Sequence, residues 1–439
     1  MIRTILIAVM TAVLAAAAPL GAQETAPARF FVERIEIRNA KRVSPGVVIA
    51  ESRLRAGQEY SEAELRDAST RLSRLPYLLS VDFSLEKGSE RGKHVLVLSI
   101  TETKPFFYLL DLRPIASDAS RRNGNLNVEF SDRLGSIDNQ GILGFRWFVG
   151  RRGAFHVALT GQDDNRDYTQ DYSSVTAGYT QYDLFGTRAF VTVNLKRPFD
   201  EVGNGGGLGV ITPQIVVGMP LSPNQTVTLQ VDDTRVERER EYRYFFQFPG
   251  ESYVADLSTE RGQRSYSAKW AFNTTNHPFL PTRGRRISVT PRYYTSDLSY
   301  DVAVVDPDRF EAHVDTFTNH LRVYSLDVDA AQFWELSELN SVSAGFRGGL
   351  GNGSQSGTAP EDFDVDQRFG ILYGGYSHSL WDREQQRHGD SRLELNALYA
   401  SRSDDFSTYR GDRAGFQVSA SWVRRNSWGT LRLGAGYAW

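Results

Sequence analysis

From Phe106 to the last residue, helical spacing gives way to short segments in which apolar and polar residues alternate, and this two-residue period most limits the fold. Within 188–196, Ala189, Val191, Val193 and Leu195 share one face while Thr192 and Asn194 take the other. The pattern returns at Val227, Leu229 and Val231, at Leu393, Leu395, Ala397 and Tyr399, and at Phe416, Val418, Ala420 and Trp422. A soluble antiparallel sheet alternates too, but its turns are short throughout. Here 297–313 and 351–367 read as long polar connections, the asymmetry of a transmembrane antiparallel β-barrel with tight turns on one side and extended loops on the other. If both barrel ends lie on one side the strand number is even, so about sixteen strands are expected, with twelve or fourteen as the alternatives.

The rest of the chain fits export to such a place. Arg3 precedes an apolar run from Ile5 to Ala18 and the small-residue stretch Pro19–Gln23, which reads as a secretory signal over 1–22. The run is shorter than the roughly 20 residues of a spanning helix, and no later stretch approaches that length. A mean hydropathy of −0.40 is compatible with a barrel, whose lipid-facing and lumen-facing residues average out as polar. With 50 basic against 53 acidic residues there is no electrostatic case for nucleic acid. Cysteine is absent, which removes disulfide staples, thiol chemistry and Cys-type metal sites. The 20 Tyr and 25 Phe suit interfacial girdles.

Residues 29–103 read as a small α+β domain ahead of a barrel at 105–439. Ser61 and Glu64 form a capping box, followed by Leu65, Ala68, Leu72 and Leu75 on one helical face, until Pro76 stops the helix. An earlier helix is marked by Ser44 as cap, Pro45 in the first turn and Gly57 beyond its end. Strands are expected at 32–37, 81–85 and 94–100, giving the order β-α-α-β-β.

The run from Val32 to Glu86 resembles a POTRA domain, the unit that precedes barrels in the outer-membrane protein assembly family of BamA and TamA. The resemblance implies that client chains add as a strand at an open sheet edge, here Val81, Asp82, Phe83, Ser84 and Leu85. A cap that merely positions the barrel is the structural alternative. Three further stretches bear on the same family. Arg432, Gly434, Tyr437 and Trp439 in the last strand resemble the β-signal by which barrel substrates are recognised, although an interfacial Trp also anchors a barrel. Pro281, Thr282, Arg283 and Gly284, within Asn276–Gly284, resemble the family's barrel turn; Pro281 fixes the entry and Gly284 allows a positive φ. The third stretch, with Arg368, Phe369, Gly374 and Gly375, resembles the lead-in to the family's lumen-loop motif, but Trp381–Asp382 stands where Arg-Gly is the family pattern. The lumen-locking contact of that motif is therefore not carried over.

Nothing in the sequence suggests an enzyme. The seven histidines show no ligand spacing, no Gly-x-Ser-x-Gly elbow exists, and His378 between Ser377 and Ser379 reads as plain surface. Gly203–Gly209 reads as a turn, as does Arg410–Asp412, and the mixed charges of 235–243 read as a solvated strand extension. No cofactor is expected. The resemblance implies assembly or translocation of other polypeptides at the outer membrane of a Gram-negative cell, with the soluble domain in the periplasm. The expected partners are outer-membrane lipid, unfolded outer-membrane or secreted polypeptides, and periplasmic chaperones or accessory proteins. A passive pore, a structural surface barrel, or a transporter dedicated to one secreted partner are the other readings.

Overall fold

The structure, a computed structural model, describes residues 28–438 apart from 74, 76, 113–114, 118–139, 151, 163–164, 167–168, 171–172, 188, 200–209, 223, 241–245, 249–250, 278–279, 307–310, 358–362, 383–388 and 407–408. The expected signal segment, the Gly203–Gly209 turn and Trp439 lie outside these residues.

The N-terminal domain consists of β1 (Arg29–Arg38), α1 (Pro45–Ser52), β2 (Gln58–Ser61), α2 (Glu62–Ser73), β3 (Leu78–Lys87) and β4 (Lys93–Glu102). The expected order is corrected by one element: β2, four residues long, pairs with the start of β1 and makes a four-stranded sheet ordered β2-β1-β4-β3. Such a short polar strand carries too little alternation to show in sequence. The capping box is present, with Ser61 N donating to Glu64 Oε2 at 2.7 Å and Glu64 N to Ser61 Oγ at 3.2 Å. Ser44 has the extended backbone of a cap residue, but its hydroxyl does not cap α1. The helices lay Val47, Val48, Leu65, Ala68 and Leu72 on one face of the sheet, against Val32, Leu96, Leu98 and Ile100, all nearly fully buried.

Among the described residues, fifteen strands then close a ring: β5 in two pieces (Phe106–Leu112, Ile115–Ser117), β6 (Gln140–Val149), β7 (Gly153–Gln162), β8 (Ser173–Gln181), β9 (Phe190–Phe199), β10 (Thr212–Ser222), β11 (Gln225–Arg240), β12 (Glu251–Asn273), β13 (Gly284–Asp306), β14 (Glu311–Glu335), β15 (Asn340–Gly357), β16 (Phe363–Ser379), β17 (Asp390–Phe406), β18 (Tyr409–Asn426) and β19 (Gly429–Ala438). Outside the ring, the short strand Phe246–Phe248 pairs with 251–253, bringing the count of barrel strands to sixteen. Neighbours in the ring are antiparallel except at the closure, where β19 and β5 run parallel. The parity argument from termini on one side therefore does not describe this ring: β5 leaves the domain end and β19 points the same way.

Alternation sorts the wall into two faces. Leu195, Met219, Leu229, Leu350 and Leu395 point outward, each more than half exposed, while Thr180, Asn194, Gln214 and Asp232 point into the lumen. The lumen side is laced by polar contacts, among them Thr180–Thr192 at 2.8 Å, Asn194 Nδ2 to Gln214 Oε1 at 2.7 Å, and Arg286–Asp329 at 3.5 Å. Strands β12, β13 and β14 hold 23, 23 and 25 residues, more than twice what a tilted strand needs to cross a bilayer core. The expected connections at 297–313 and 351–367 are for the most part continuations of these strands and of β15 and β16. Backbone pairing persists there because polar strands in water need no apolar band. Arg410–Asp412 likewise lies within β18 rather than in a turn.

Candidate functional site: the domain junction and the closing seam

The domain sits on one mouth of the barrel and is held there by side chains of both parts. Tyr77, just before β3, is 6% exposed; its ring meets Phe148 edge-on at 5.0 Å, and the Arg146 guanidinium lies 5.4 Å from its centroid. The same guanidinium lies 4.8 Å from the Phe107 ring. Beyond α1, Arg53 adopts a left-handed backbone and donates to Ser222 O and, at 3.1 Å, to Thr226 Oγ1. Burial pushes the Tyr77 hydroxyl well up, with the charges of Tyr182 and Glu51 adding to it. Glu51, half-buried at the end of α1, is pushed up to about 7 by desolvation, against the pull of Arg53. Glu102 at the end of β4 gathers the backbone N–H groups of Lys41, Arg42 and Val43 at 2.9, 2.9 and 2.8 Å. Burial acts to raise its pKa, yet these hydrogen bonds hold the carboxyl below its usual range.

The expected turn motif folds into the same mouth. Asn276 organises it: Oδ1 accepts from the N–H groups of Thr282 and Arg283 at 3.0 and 3.2 Å, and Nδ2 donates to Thr282 Oγ1 at 2.8 Å. Pro281 is partly buried, Arg283 exposed. Gly284 has φ +97°, and a Cβ there would stand 2.4 Å from Thr274 O, so only glycine fits. Leu280 is 1% exposed; its N–H donates to His277 Nδ1 at 2.9 Å and its carbonyl accepts from Arg392 Nη1 at 3.1 Å. Arg392 also pairs with Asp390, which accepts from Ser379 Oγ at 2.8 Å. Arg425 lies against His277 at 3.5 Å and donates from Nη2 to Leu78 O at 3.1 Å. Burial, then the charges of Arg425 and Arg392, hold the His277 pKa well below the ordinary histidine range.

The seam is the second feature. Among the described residues, five register pairs join Gly429–Leu433 to Tyr108–Leu112 and three join Gly436–Ala438 to Ile115–Ser117, all of them parallel. Its domain end is clamped: Lys104 N donates to Ser427 O at 2.6 Å, Tyr108 N to Trp428 O at 2.9 Å, and Phe106 meets Trp428 at 6.3 Å. Lys104 Nζ lies 5.8 Å from the Trp428 centroid.

The remaining sequence candidates fall as follows. Val81–Leu85 lie in β3, the outer strand of the domain sheet. Val81 and Phe83 turn toward the core while Asp82 and Ser84 are exposed, and Ser69 Oγ on α2 already donates to Val81 O at 2.7 Å. Arg432 points into the lumen and pairs with Glu394 at 3.2 Å; Gly434 and Tyr437 follow in β19. Arg368, Phe369, Gly374 and Gly375 are corrected from a lumen loop to strand β16. Their spacing is that of a wall, with the Phe369 ring laid over Gly349 of the next strand. Sequence reading missed Tyr77, Arg146, Arg392 and Arg425; only the clustering of arginines beside turn residues hinted at them.

A ring with an apolar outside, a hydrogen-bonded polar inside and every wall strand paired is a transmembrane β-barrel. The Omp85 superfamily domain model matches residues 119–379, and the chain belongs to that superfamily as an outer-membrane barrel. Among solved structures it is similar to BamA from Haemophilus ducreyi lacking POTRA domains 1–3, at 10% identity and TM-score 0.38, covering 93% of this chain and 85% of that one. It is also similar to CdiB from Acinetobacter baumannii, at 8% identity and TM-score 0.35, covering 90% and 67%. The unliganded ferric citrate transporter FecA matches at 8% identity and TM-score 0.32, covering 80% and 61%. No curated protein matches the chain.

Proposed function

We propose that this barrel inserts or translocates other polypeptides at the outer membrane, with its N-terminal domain acting as a POTRA domain in the periplasm. Extended client segments dock at β3, where Phe83 and Leu85 share the outward backbone orientation of Val81 and offer hydrogen-bonding groups to a further strand. They then reach the seam. The observation that carries the reading is the seam's pairing: it is parallel, the slightly weaker ladder per residue, in a ring whose other neighbours pair antiparallel. An edge opened in lipid is costly and favours pairing with an incoming strand. The reading requires no catalytic group and no energy cofactor.

Leu109 and Thr430 are register partners across the seam. A Leu109→Cys/Thr430→Cys pair, oxidised in the membrane, is expected to stop the assembly activity and reduction to restore it. Full activity with the seam locked would overturn the reading. The proteome of the outer membrane in a deletion strain separates the alternatives: broad loss of barrels supports insertion, and loss of one secreted protein indicates a dedicated transporter. A gated pore is favoured by one observation, the domain seated on the barrel mouth through Tyr77 and Arg425. An unchanged proteome with a steady conductance in planar bilayers would support it.

A further inference from the structure

The outer wall at the end far from the domain carries a polar row that the assembly reading does not use. Cross-strand register aligns Arg264, Thr295, Arg322 and Ser354 on β12 to β15, all on the outward face. The row immediately nearer the domain is Tyr266, Tyr293 and Tyr324, whose rings follow one another at 6.3 and 4.7 Å. Next below lie Pro291, Leu326 and Leu350, and the apolar band continues along β14 to Trp334. Ten residues separate Tyr324 from Trp334 on that strand, about 33 Å along it, which a barrel's tilt reduces to about 25 Å of height. That is the height of a hydrocarbon band, so the tyrosines mark its far edge and the arginines stand at headgroup depth.

We propose that Arg264 and Arg322 form a binding site for the phosphate of a lipid in the far leaflet. The two arginines are on strands separated only by β13, about 10 Å apart along the sheet, and both side chains are long enough to converge on one phosphate over Thr295. Guanidinium groups present a planar fork that matches phosphate oxygens in pairs, and the Thr295 hydroxyl between them adds a donor. The row continues on β11 to Asp233, the register partner of Arg264. Of the nearest carboxylates, Asp297 pairs with His320 at 2.8 Å, and Asp233 forms a long ion pair with Arg264 at 3.8 Å, which leaves most of that guanidinium's donors to a phosphate. Tyr324, 66% exposed, and Tyr266, 45% exposed, supply ring surface for the glycerol or sugar and the first methylenes below the phosphate.

Native mass spectrometry of the full chain in detergent, titrated with dihexanoyl phosphatidic acid, tests the site. Changing Arg264→Gln and Arg322→Gln together is expected to weaken binding about fivefold or more, Arg264→Lys/Arg322→Lys to keep part of it, and Arg285→Gln, at the domain end of the wall, to leave this loss unmatched. Heat-modifiable gel mobility reports that each variant is folded. Dihexanoylglycerol, which lacks the phosphate, is expected to bind no better to the protein than to the double variant. The proposal is overturned if the double glutamine variant binds as the parent does, if dihexanoylglycerol binds as tightly as the phosphatidic acid, or if equal inorganic phosphate displaces the lipid fully.

Discussion

Arg425 on β18 donates from Nη2 to the main-chain oxygen of Leu78 on β3 at 3.1 Å, so a strand of the barrel wall holds the domain by its backbone. Arg425 is 3% exposed and Leu78 is fully buried. Replacing Arg425 by Met keeps the length and removes the donor, leaving a buried carbonyl unpaired at a cost of about 1–3 kcal/mol. The expected result is a lower thermal midpoint in detergent and faster proteolysis near residues 103–105. Unchanged values for both would show that this contact contributes nothing to docking.

The turn over the mouth is a second, separable element. Gly284→Ala places a Cβ against Thr274 O at a φ of +97°, and a loss of about 2 kcal/mol or more is expected. Asn276→Ala removes three hydrogen bonds to Thr282 and Arg283 and is expected to cost about as much. Both are read as a drop in the temperature at which the folded band disappears on a gel.

Acidity acts on the junction from two directions. Glu51 in the folded protein keeps its proton up to about 7, whereas an unfolded chain releases it near 4.3, so the junction loses stability as pH climbs through that interval. Glu51→Gln is expected to stabilise by about 1–2 kcal/mol near pH 8, after allowance for partial exposure, with little effect near pH 4. His277 works oppositely: it is held neutral, an unfolded histidine binds a proton below about 6.5, and stability falls as pH drops past that point. His277→Gln is expected to flatten this acid limb. Thermal melts from about pH 4 to 8 check both signs.

Arg432 invites a test of what the last strand encodes. If its pairing with Glu394 is its role, Arg432→Gln and Glu394→Gln couple by about 1 kcal/mol in a double-mutant cycle, and both slow folding of the barrel to similar degrees. If recognition of the strand by assembly machinery is its role, Arg432→Gln alone reduces insertion in cells. Insertion yield measured for both single variants decides between them.

Periodicity made the barrel legible, because alternation such as Val193/Asn194/Leu195 has no other interpretation in a membrane wall. The capping box of Ser61 and Glu64 was equally plain, since its chemistry is local. What escaped was set by distance. His277 meets Arg425 across 148 residues and Arg392 reaches Leu280 across 112, and no spacing rule announces either. The lumen-loop assignment of Arg368–Gly375 failed because glycines beside aromatics also suit a wall where rings lie over neighbouring glycines. Closure by a parallel pair was hidden as well, since strand direction at a seam depends on the parity of the whole ring.

Strands β12, β13 and β14 run unbroken from the domain-end mouth to well past the tyrosine row. Mechanically they form a lever: the projecting sheet and the lipid-embedded wall are one stiff body with no hinge between them. A load or a bound molecule at the projecting end is thus felt as torque in the wall itself, and the one parallel joint available to yield to it among the described strands is the seam.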